Sequence, residues 1–200
     1  MRETVVIFAK APRAGAVKTR LGAGIGMGRA AALFRILTEQ TVAQAAAGPW
    51  RTVIAVDPSA ALQGWGNVWP ASLQRQPQGG GDLGVRMKRF FNAPEGGPMV
   101  IIGADAPGLR TRHLRAAFEA LAGADAVFGP ADDGGYWLIG LARRRAAPDL
   151  FRNVRWSSEH AFVDTRASLP KYFRVTTLET LHDVDEASEL RHWRGRSLAR

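Results

Sequence analysis

The pattern of hydrophobic positions divides the chain into two kinds of segment. Short continuous apolar runs, typical of strands buried on both faces of a parallel sheet, occur at 4–9, 51–56, 98–103, 126–129 and 136–141. Elsewhere the apolar residues recur with helical spacing, most clearly over 27–47, 83–91 and 111–123. Strands that alternate with helices predict an α/β fold, in which a mostly parallel central sheet lies between two layers of helices.

The remaining segments are less regular. Residues 59–81 are rich in Gly, Pro and Gln and predict only short strands, near Val68 and Leu73. Towards the end of the chain we expect a helix near 158–168, a strand at 171–176 and a last helix after Asp185. Because neither a repeat nor a linker interrupts this order, the whole chain, 1–200, is expected to form one domain.

Composition narrows the class of protein. The 200 residues are 46% hydrophobic and 22% charged, which is typical of a globular domain. Cysteine is absent, which excludes disulfides, thiolate zinc sites, iron–sulfur clusters and a cysteine nucleophile. No apolar run approaches the ~20 residues of a membrane span, and the first run is too short for a signal peptide. We therefore expect a cytoplasmic protein with no membrane partner.

The net charge of +9 suggests an anionic partner, either nucleic acid or a small phosphorylated ligand. Four cations follow the first apolar run within the loop predicted at 10–21: Lys10, Arg13, Lys18 and Arg20. Point charges and fork donors of this kind suit an oligophosphate. The alternative is a solvated basic loop, because the segment lacks the Gly-Lys-Ser/Thr ending of a Walker A motif.

Carboxylates follow other apolar runs. Asp105 comes directly after the run at 98–103, where it could hold a divalent cation that bridges phosphates or simply stabilise a turn. Asp133 lies in an Asp-Asp-Gly-Gly turn, for which an ordinary hairpin is the alternative. Asp185, in the segment Leu-His-Asp-Val-Asp-Glu before a predicted helix, is a plain N-cap candidate. Parallel sheets bind ligands beyond the carboxyl ends of their strands. Because the loops at 10–21, 103–108 and 130–135 each follow an apolar run, they predict a site at that edge.

Five segments of the chain, in order, resemble the signature blocks of the DUF2064 family. They are 7–21 (IFAKAPRAGAVKTRL), 81–87 (GDLGVRM), 102–109 (IGADAPGL), 129–140 (GPADDGGYWLIG) and 156–157 (WS). These bacterial proteins belong to the nucleotide-diphospho-sugar transferase (GT-A) superfamily, which includes glycosyltransferases and nucleotidyltransferases. The resemblance implies the Rossmann-like GT-A form of the α/β fold, with nucleotide bound at the carboxyl edge of the sheet.

The resemblance also implies roles for individual residues. Lys18 and Arg20 would clamp the nucleotide phosphates and, with Asp105, form the catalytic set. Asp105 and Asp185 would hold Mg²⁺ or Mn²⁺. The nucleotide would be contacted by Phe8, Ala9, Lys10, Lys18, Arg20, Gly81, Asp82, Leu83 and Gly84. The acceptor pocket would be shaped by Asp133, Gly134, Gly135 and Tyr136.

The resemblance implies a metal-dependent transferase with a nucleotide substrate. The density of cations in the first loop favours transfer of a nucleotidyl group from a nucleoside triphosphate to a small phosphorylated acceptor, with release of pyrophosphate. The alternative, which the usual label of the family favours, is glycosyl transfer from a nucleotide-diphospho-sugar. Asp105 has Ala104 before it and Ala106 after it, whereas glycosyltransferases of this superfamily usually carry Asp-x-Asp there. A non-catalytic nucleic-acid-binding protein is a third, less favoured hypothesis. The oligomeric state is not predicted.

Overall fold

Strands and helices alternate along the part of the chain that the structure, a computed structural model, describes: residues 2–63, 69–94 and 96–181. The strands are β1 (Thr4–Lys10), β2 (Arg51–Asp57), β3 (Gln74–Pro77), β4 (Met99–Gly103), β5 (Ala126–Pro130), β6 (Tyr136–Leu141) and β7 (Val175–Thr177). The α-helices are α1 (Thr19–Ile25), α2 (Met27–Ala46), α3 (Leu83–Phe91), α4 (Thr111–Gly123) and α5 (Ala161–Ala167), and a 3-10 turn covers Ser59–Gln63.

All seven strands form one sheet in the order β3-β2-β1-β4-β6-β5-β7. The pairs β3–β2, β2–β1, β1–β4 and β5–β7 are parallel, and β6 is antiparallel to both of its neighbours. The reversal of β6 follows from its connection, because β5 and β6 are joined by residues 131–135 alone. Five residues suffice for a hairpin, whereas a parallel crossover needs a dozen or more. The predicted mostly parallel sheet is confirmed.

Helices cover both faces of this sheet. In β1, Val5 and Ile7 contribute to the core formed with α2 and α4, while Val6 packs on the opposite face with α3. Successive strand residues point to opposite faces, so a strand buried on both sides must be apolar throughout. This is the reason for the continuous apolar runs, and it confirms the three-layer arrangement.

The first loop is shorter than the sequence suggested. The sequence predicts a loop over 10–21 that continues through three glycines, but α1 begins at Thr19. Leu21 in α1 is completely buried, so tertiary packing outweighs the low helix propensity of the glycines. Within the described residues, no helix has both the length and the apolar character needed to cross a bilayer.

Two predicted strands also differ in extent. The strand expected near Leu73 is β3, whereas the one near Val68 lies outside the described residues. The strand expected at 171–176 is shorter and later, at Val175–Thr177, because the backbone N–H of Phe173 donates to the carbonyl of Pro170 in a turn. The helix expected after Asp185 lies outside the described residues.

Candidate functional site

The centre of the sheet contains a switch in strand order. From β1 the chain continues to β2 and β3 on one side, and β4 lies on the other side of β1. Phe8 pairs with Gly103 across β1 and β4, and the N–H of Ala104 donates to the carbonyl of Phe8 at 3.1 Å. The loops after β1 and β4 therefore leave the sheet side by side, in the crevice where open α/β sheets bind ligands.

These two loops meet in an ion pair between Lys18 and Asp105. Lys18 Nζ lies 2.8 Å from Asp105 Oδ2, and the exposed fractions of the two side chains are 4% and 29%. Lys18 precedes α1 and has left-handed backbone angles, φ 45° and ψ 47°, which cost a non-glycine residue roughly 1 kcal/mol or more. The fold thus brings the predicted phosphate-binding lysine into direct contact with the predicted metal-binding carboxylate.

A cavity of about 420 Å³ opens beside this pair. Arg20, Leu83 and Asp105 line it, Asp105 together with the residues after β4. The rest of the lining comes from the β5–β6 hairpin, the segment 156–161 and Leu181. Residues from six separate parts of the chain therefore surround one space at the carboxyl edge of the sheet.

The predicted nucleotide-binding residues of β1 lie at different depths. The Phe8 ring packs into the core against Phe90, with ring centroids 5.3 Å apart, and Ala9 is completely buried. Lys10, at the end of β1, is exposed. Of the side chains predicted from the first loop, Arg20 lines the cavity and Lys18 contacts Asp105.

The loop that precedes α3 carries the other predicted nucleotide-binding residues. Asp82 is the N-cap of α3, and its Oδ1 accepts from the N–H of Val85 at 2.8 Å. Leu83 is the member of this group that lines the cavity. Gly84 packs so closely against Phe151 that an added methyl group would lie 2.7 Å from the Phe151 Cβ.

Sequence reasoning missed the polar network that fixes this loop. Arg86 Nε donates to the carbonyl of Gly81 at 2.8 Å, and Arg86 Nη1 lies 3.1 Å from Asp57 Oδ2. Buried Gln78 donates through Nε2 to the carbonyls of Ala55 and Ala9, at 2.9 and 3.2 Å. The network ties the loop to the ends of β1 and β2. No sequence signal marks it, because its partners come from three separate segments of the chain.

The β5–β6 hairpin contains the predicted acceptor-binding residues. Asp133 Oδ1 accepts from the N–H of Gly135 at 2.8 Å, which is the hairpin-turn geometry weighed as the alternative. Asp133, Gly135 and Tyr136 nevertheless line the cavity. Burial raises the pKa of the Tyr136 phenol above its usual value, so this group stays an uncharged hydroxyl.

Gly134 lies instead against the segment that follows. Its φ is 82°, and an added methyl group would lie 2.2 Å from the Glu159 carbonyl oxygen. The N–H of Phe162 donates to the Gly134 carbonyl at 3.0 Å. Gly134 therefore joins the hairpin to residues 156–161, and these two segments together form one wall of the cavity.

The stretch 151–157, which leads into that second segment, is held in an unusual backbone conformation. Phe151, Asn153 and Ser157 have φ values of 70°, 58° and 58°, in the left-handed region that disfavours side chains. Arg155 pairs with Asp164 at 2.8 Å, and hydrogen bonds from Arg155 lower the pKa of Asp164 to about 2. The sequence marks residues 156–157 only as part of a family motif and does not indicate their role. A positive φ at a non-glycine residue leaves no mark in the sequence.

The chain after β7 also lines the cavity. Leu181 lines it, and the Leu181 N–H donates to the carbonyl of Pro130 at 3.1 Å. Nearby, Glu179 Oε1 lies 2.8 Å from Nε2 of His113 in α4. Burial lowers the pKa of His113, Glu179 opposes that shift, and the cations of Arg112 and Arg110 reinforce it.

A pH dependence of stability follows from His113. The pKa of His113 in the folded protein is below the unfolded value of about 6.5, so protonation at low pH favours the unfolded chain. The contribution of His113 to the free energy of unfolding is therefore complete above pH 6.5 and decreases as the pH falls. We expect the free energy of unfolding to decline between pH 7 and 5 more steeply in the wild type than in His113→Gln. Denaturant unfolding at several pH values measures this. His160→Gln, at a half-exposed histidine, is the control and should keep the wild-type slope; equal slopes in all three proteins would contradict the role of His113.

Carboxylates are the groups that could hold a divalent metal here. Asp105 and Asp133 line the same cavity, and Asp185 lies outside the described residues. Among the described residues there is no cluster of three or more His, Cys, Asp or Glu suited to a metal ion. Mg²⁺ commonly binds through one or two carboxylates together with waters and substrate phosphates. The donors present therefore fit a cation held largely by a phosphorylated ligand.

The fold is that of the nucleotide-diphospho-sugar transferases. The chain is similar to the crystal structure of a candidate nucleotide-diphospho-sugar transferase from Desulfovibrio desulfuricans G20, with 29% identity and a TM-score of 0.80. The match covers 92% of this chain and 82% of that one. The DUF2064 family model, described as "Uncharacterized protein conserved in bacteria", matches residues 40–158, and the chain belongs to this family.

Two more distant structures share the fold. Rv0371c of Mycobacterium tuberculosis H37Rv, solved in complex with manganese, is 15% identical with a TM-score of 0.53, covering 96% of this chain and 98% of that one. CMP:2-keto-3-deoxy-manno-octonic acid synthetase, solved in complex with CTP, is 10% identical with a TM-score of 0.56, covering 99% of both chains. The comparison with curated proteins gives no match.

Proposed function

We propose that the protein is a transferase with a nucleotide substrate, and that it transfers a nucleotidyl group from a nucleoside triphosphate to a small phosphorylated acceptor. The observation that carries this proposal is the Lys18–Asp105 ion pair at the switch point of the sheet, beside a cavity that Arg20 also lines. A cation, a carboxylate and an arginine at this position suit a polyphosphate better than an uncharged ligand.

The reaction proposed is a displacement at phosphorus. An oxygen of the acceptor attacks the α-phosphorus of the triphosphate, the bond from that phosphorus to the bridging oxygen breaks, and pyrophosphate leaves. Lys18 and Arg20 stabilise the negative charge on the phosphates, and the cavity holds the two reactants in line. Asp133 and Tyr136 line the same cavity, where they can position the acceptor.

A divalent metal belongs to this proposal. Asp105 would hold Mg²⁺ or Mn²⁺ together with the phosphates, and Asp185 is the second ligand implied by the family resemblance. When bound, the metal would supply charge neutralisation for the departing diphosphate. The manganese complex of a protein with the same fold supports this part of the proposal.

Glycosyl transfer from a nucleotide-diphospho-sugar is the second candidate. The Desulfovibrio desulfuricans protein, which is 29% identical to this chain, is described as a candidate nucleotide-diphospho-sugar transferase. The same lysine, arginine and carboxylate would then contact the diphosphate of the donor. The two reactions differ in the nucleotide that should bind: a triphosphate in the first case and a nucleotide-sugar in the second.

A thermal-shift panel tests the proposal and separates its two forms. It compares the common nucleoside triphosphates with UDP-, GDP- and dTDP-sugars, each with Mg²⁺, Mn²⁺ or a chelator. A ligand at ~100 times its dissociation constant adds about 2.7 kcal/mol of stability, equivalent to roughly 5–10 °C for a protein of this size. We expect a chelator-sensitive shift with a triphosphate.

Other outcomes of the panel would change the assignment. A shift produced only by a nucleotide-sugar would favour glycosyl transfer. The absence of any shift with both groups of ligands would contradict the proposed use of nucleotides. A short DNA duplex serves as a further control, because nucleic-acid binding would show a steep dependence on salt concentration.

A further inference from the structure

We propose that Lys18 is a resident cation on Asp105, which excludes a free divalent metal and releases the carboxylate when nucleotide phosphates arrive to bind the lysine. The inference rests on the proposed function, which it deepens by assigning an order of events. It gives the site a preference for a metal–phosphate complex over the metal alone.

The geometry of the ion pair carries the first step. Lys18 Nζ lies 2.8 Å from Asp105 Oδ2. The ammonium therefore occupies the position that a metal would need in order to bind this oxygen. A divalent cation placed there would also be repelled by the adjacent ammonium. The metal must therefore displace Lys18 from this oxygen or bind beside the positive charge of the ammonium, and either event weakens its affinity for the carboxylate.

Burial carries the second step. The Lys18 side chain is only 4% exposed, whereas Asp105 is 29% exposed. Moving a buried ammonium away from its carboxylate is unfavourable unless another anion replaces that carboxylate. A polyphosphate supplies this anion, and its oxygens can ligate the metal at the same time. The exchange is thus favourable for a metal that arrives with phosphates and unfavourable for a metal that arrives alone.

Arg20 provides an internal comparison within the same cavity. It is exposed and lines the cavity as Asp105 does, and its charge therefore contributes to the local potential. Lys18, however, is in direct contact with the Asp105 oxygen. If the mechanism is exchange at that oxygen, neutralising Lys18 should affect metal binding much more than neutralising Arg20.

The experiment measures the affinity for Mn²⁺ alone by electron paramagnetic resonance of the free ion. It uses the full-length wild type and the variants Lys18→Met, Arg20→Met and Lys171→Met; Lys171 lines a separate groove. We expect Lys18→Met to bind Mn²⁺ at least tenfold more tightly than the wild type, a change equivalent to ~1.4 kcal/mol. We expect about two- to threefold for Arg20→Met, the size of a weak exposed-charge effect, and no change for Lys171→Met.

Each outcome decides the question. An unchanged or weaker Mn²⁺ affinity in Lys18→Met, with a native circular-dichroism spectrum, would overturn the exchange. Equal gains in Lys18→Met and Arg20→Met would also overturn it, because they would indicate general electrostatics. If Lys18→Met gains affinity for Mn²⁺ but no nucleotide binds the wild type, the exclusion of free metal by Lys18 stands, whereas its release by nucleotide phosphates and the proposed function both fail. If the wild type binds nucleotide but Lys18→Met gains no affinity for Mn²⁺, the exchange fails and the proposed function stands.

Discussion

Asp105→Ala is expected to lower the free energy of unfolding by about 3 kcal/mol, the low end of the cost of removing one partner from a buried ion pair. The low end applies because Asp105 is 29% exposed, while the Lys18 ammonium that remains lies on a side chain only 4% exposed. Lys18→Met should cost less, about 1 kcal/mol, because water can reach the partly exposed carboxylate that it leaves behind. Chemical denaturation of the variants gives both values.

The double variant Lys18→Met/Asp105→Ala tests whether the two side chains act as a pair. It should be more stable than Asp105→Ala alone, because it no longer contains a buried ammonium that has lost its Asp105 carboxylate. The expected coupling free energy is about 1–3 kcal/mol, within the range found for residues in contact. Strict additivity of the two single substitutions would show that the ion pair contributes nothing to the folded state.

Gly134→Ala is the second substitution with a large expected effect. The new methyl group would meet the Glu159 carbonyl oxygen at 2.2 Å, and the residue would keep a φ of 82°. Left-handed strain costs roughly 1–2 kcal/mol and overpacking against rigid backbone roughly 1–3 kcal/mol. We expect a total loss of about 3 kcal/mol and a decrease in the melting temperature of roughly 6–12 °C.

Two other glycines separate these contributions. Gly15 has a φ of 78° with nothing within 4 Å of an added methyl group, so Gly15→Ala should show the backbone strain alone. Gly28, in α2, has open space and an ordinary φ, and Gly28→Ala should be neutral or stabilising by up to ~1 kcal/mol. If Gly134→Ala costs no more than Gly15→Ala, the close contact between the hairpin and Glu159 has been misjudged.

The Gly134 substitution also bears on the cavity. The glycine was assigned by family resemblance to the acceptor pocket, yet its own surface faces Glu159, while Asp133 and Gly135 line the cavity. A substitution that separates the hairpin from residues 156–161 should therefore weaken ligand binding indirectly. The expected signature is a loss of stability in the absence of any ligand, which a purely ligand-contacting residue would not produce.

The layered α/β fold could be predicted because its cause is local. Strands buried on both faces must be continuously apolar, and β1 and β4 show this directly in the sequence. The sequence also predicted that Lys18 and Asp105 lie at one edge of the sheet, since both come after parallel strands and such strands end at one edge. Their direct contact did not follow, because it depends on the left-handed turn at Lys18 that precedes α1.

The features that were missed depend on contacts between distant segments. Leu21 forms part of a helix despite the glycines around it, because it is completely buried in the folded chain. Arg86 fixes the loop before α3 through Asp57, which lies at the end of β2. Ser157 adopts a positive φ that only the surrounding packing can impose. Residue type and spacing do not encode any of these arrangements, whereas the positions of apolar runs are encoded directly.

Isothermal titration of a nucleoside triphosphate with Mn²⁺ tests the central claim most directly, using wild type, Lys18→Met and Asp105→Asn. The triphosphate is the one that gives the largest thermal shift. We predict binding to the wild type that a chelator abolishes, and a loss of affinity of at least about tenfold in both variants, as expected when a charged partner is removed from a phosphate site. Equal affinity in all three proteins, or binding that ignores the chelator, would contradict the assignment of Lys18 and Asp105 to a metal–nucleotide site.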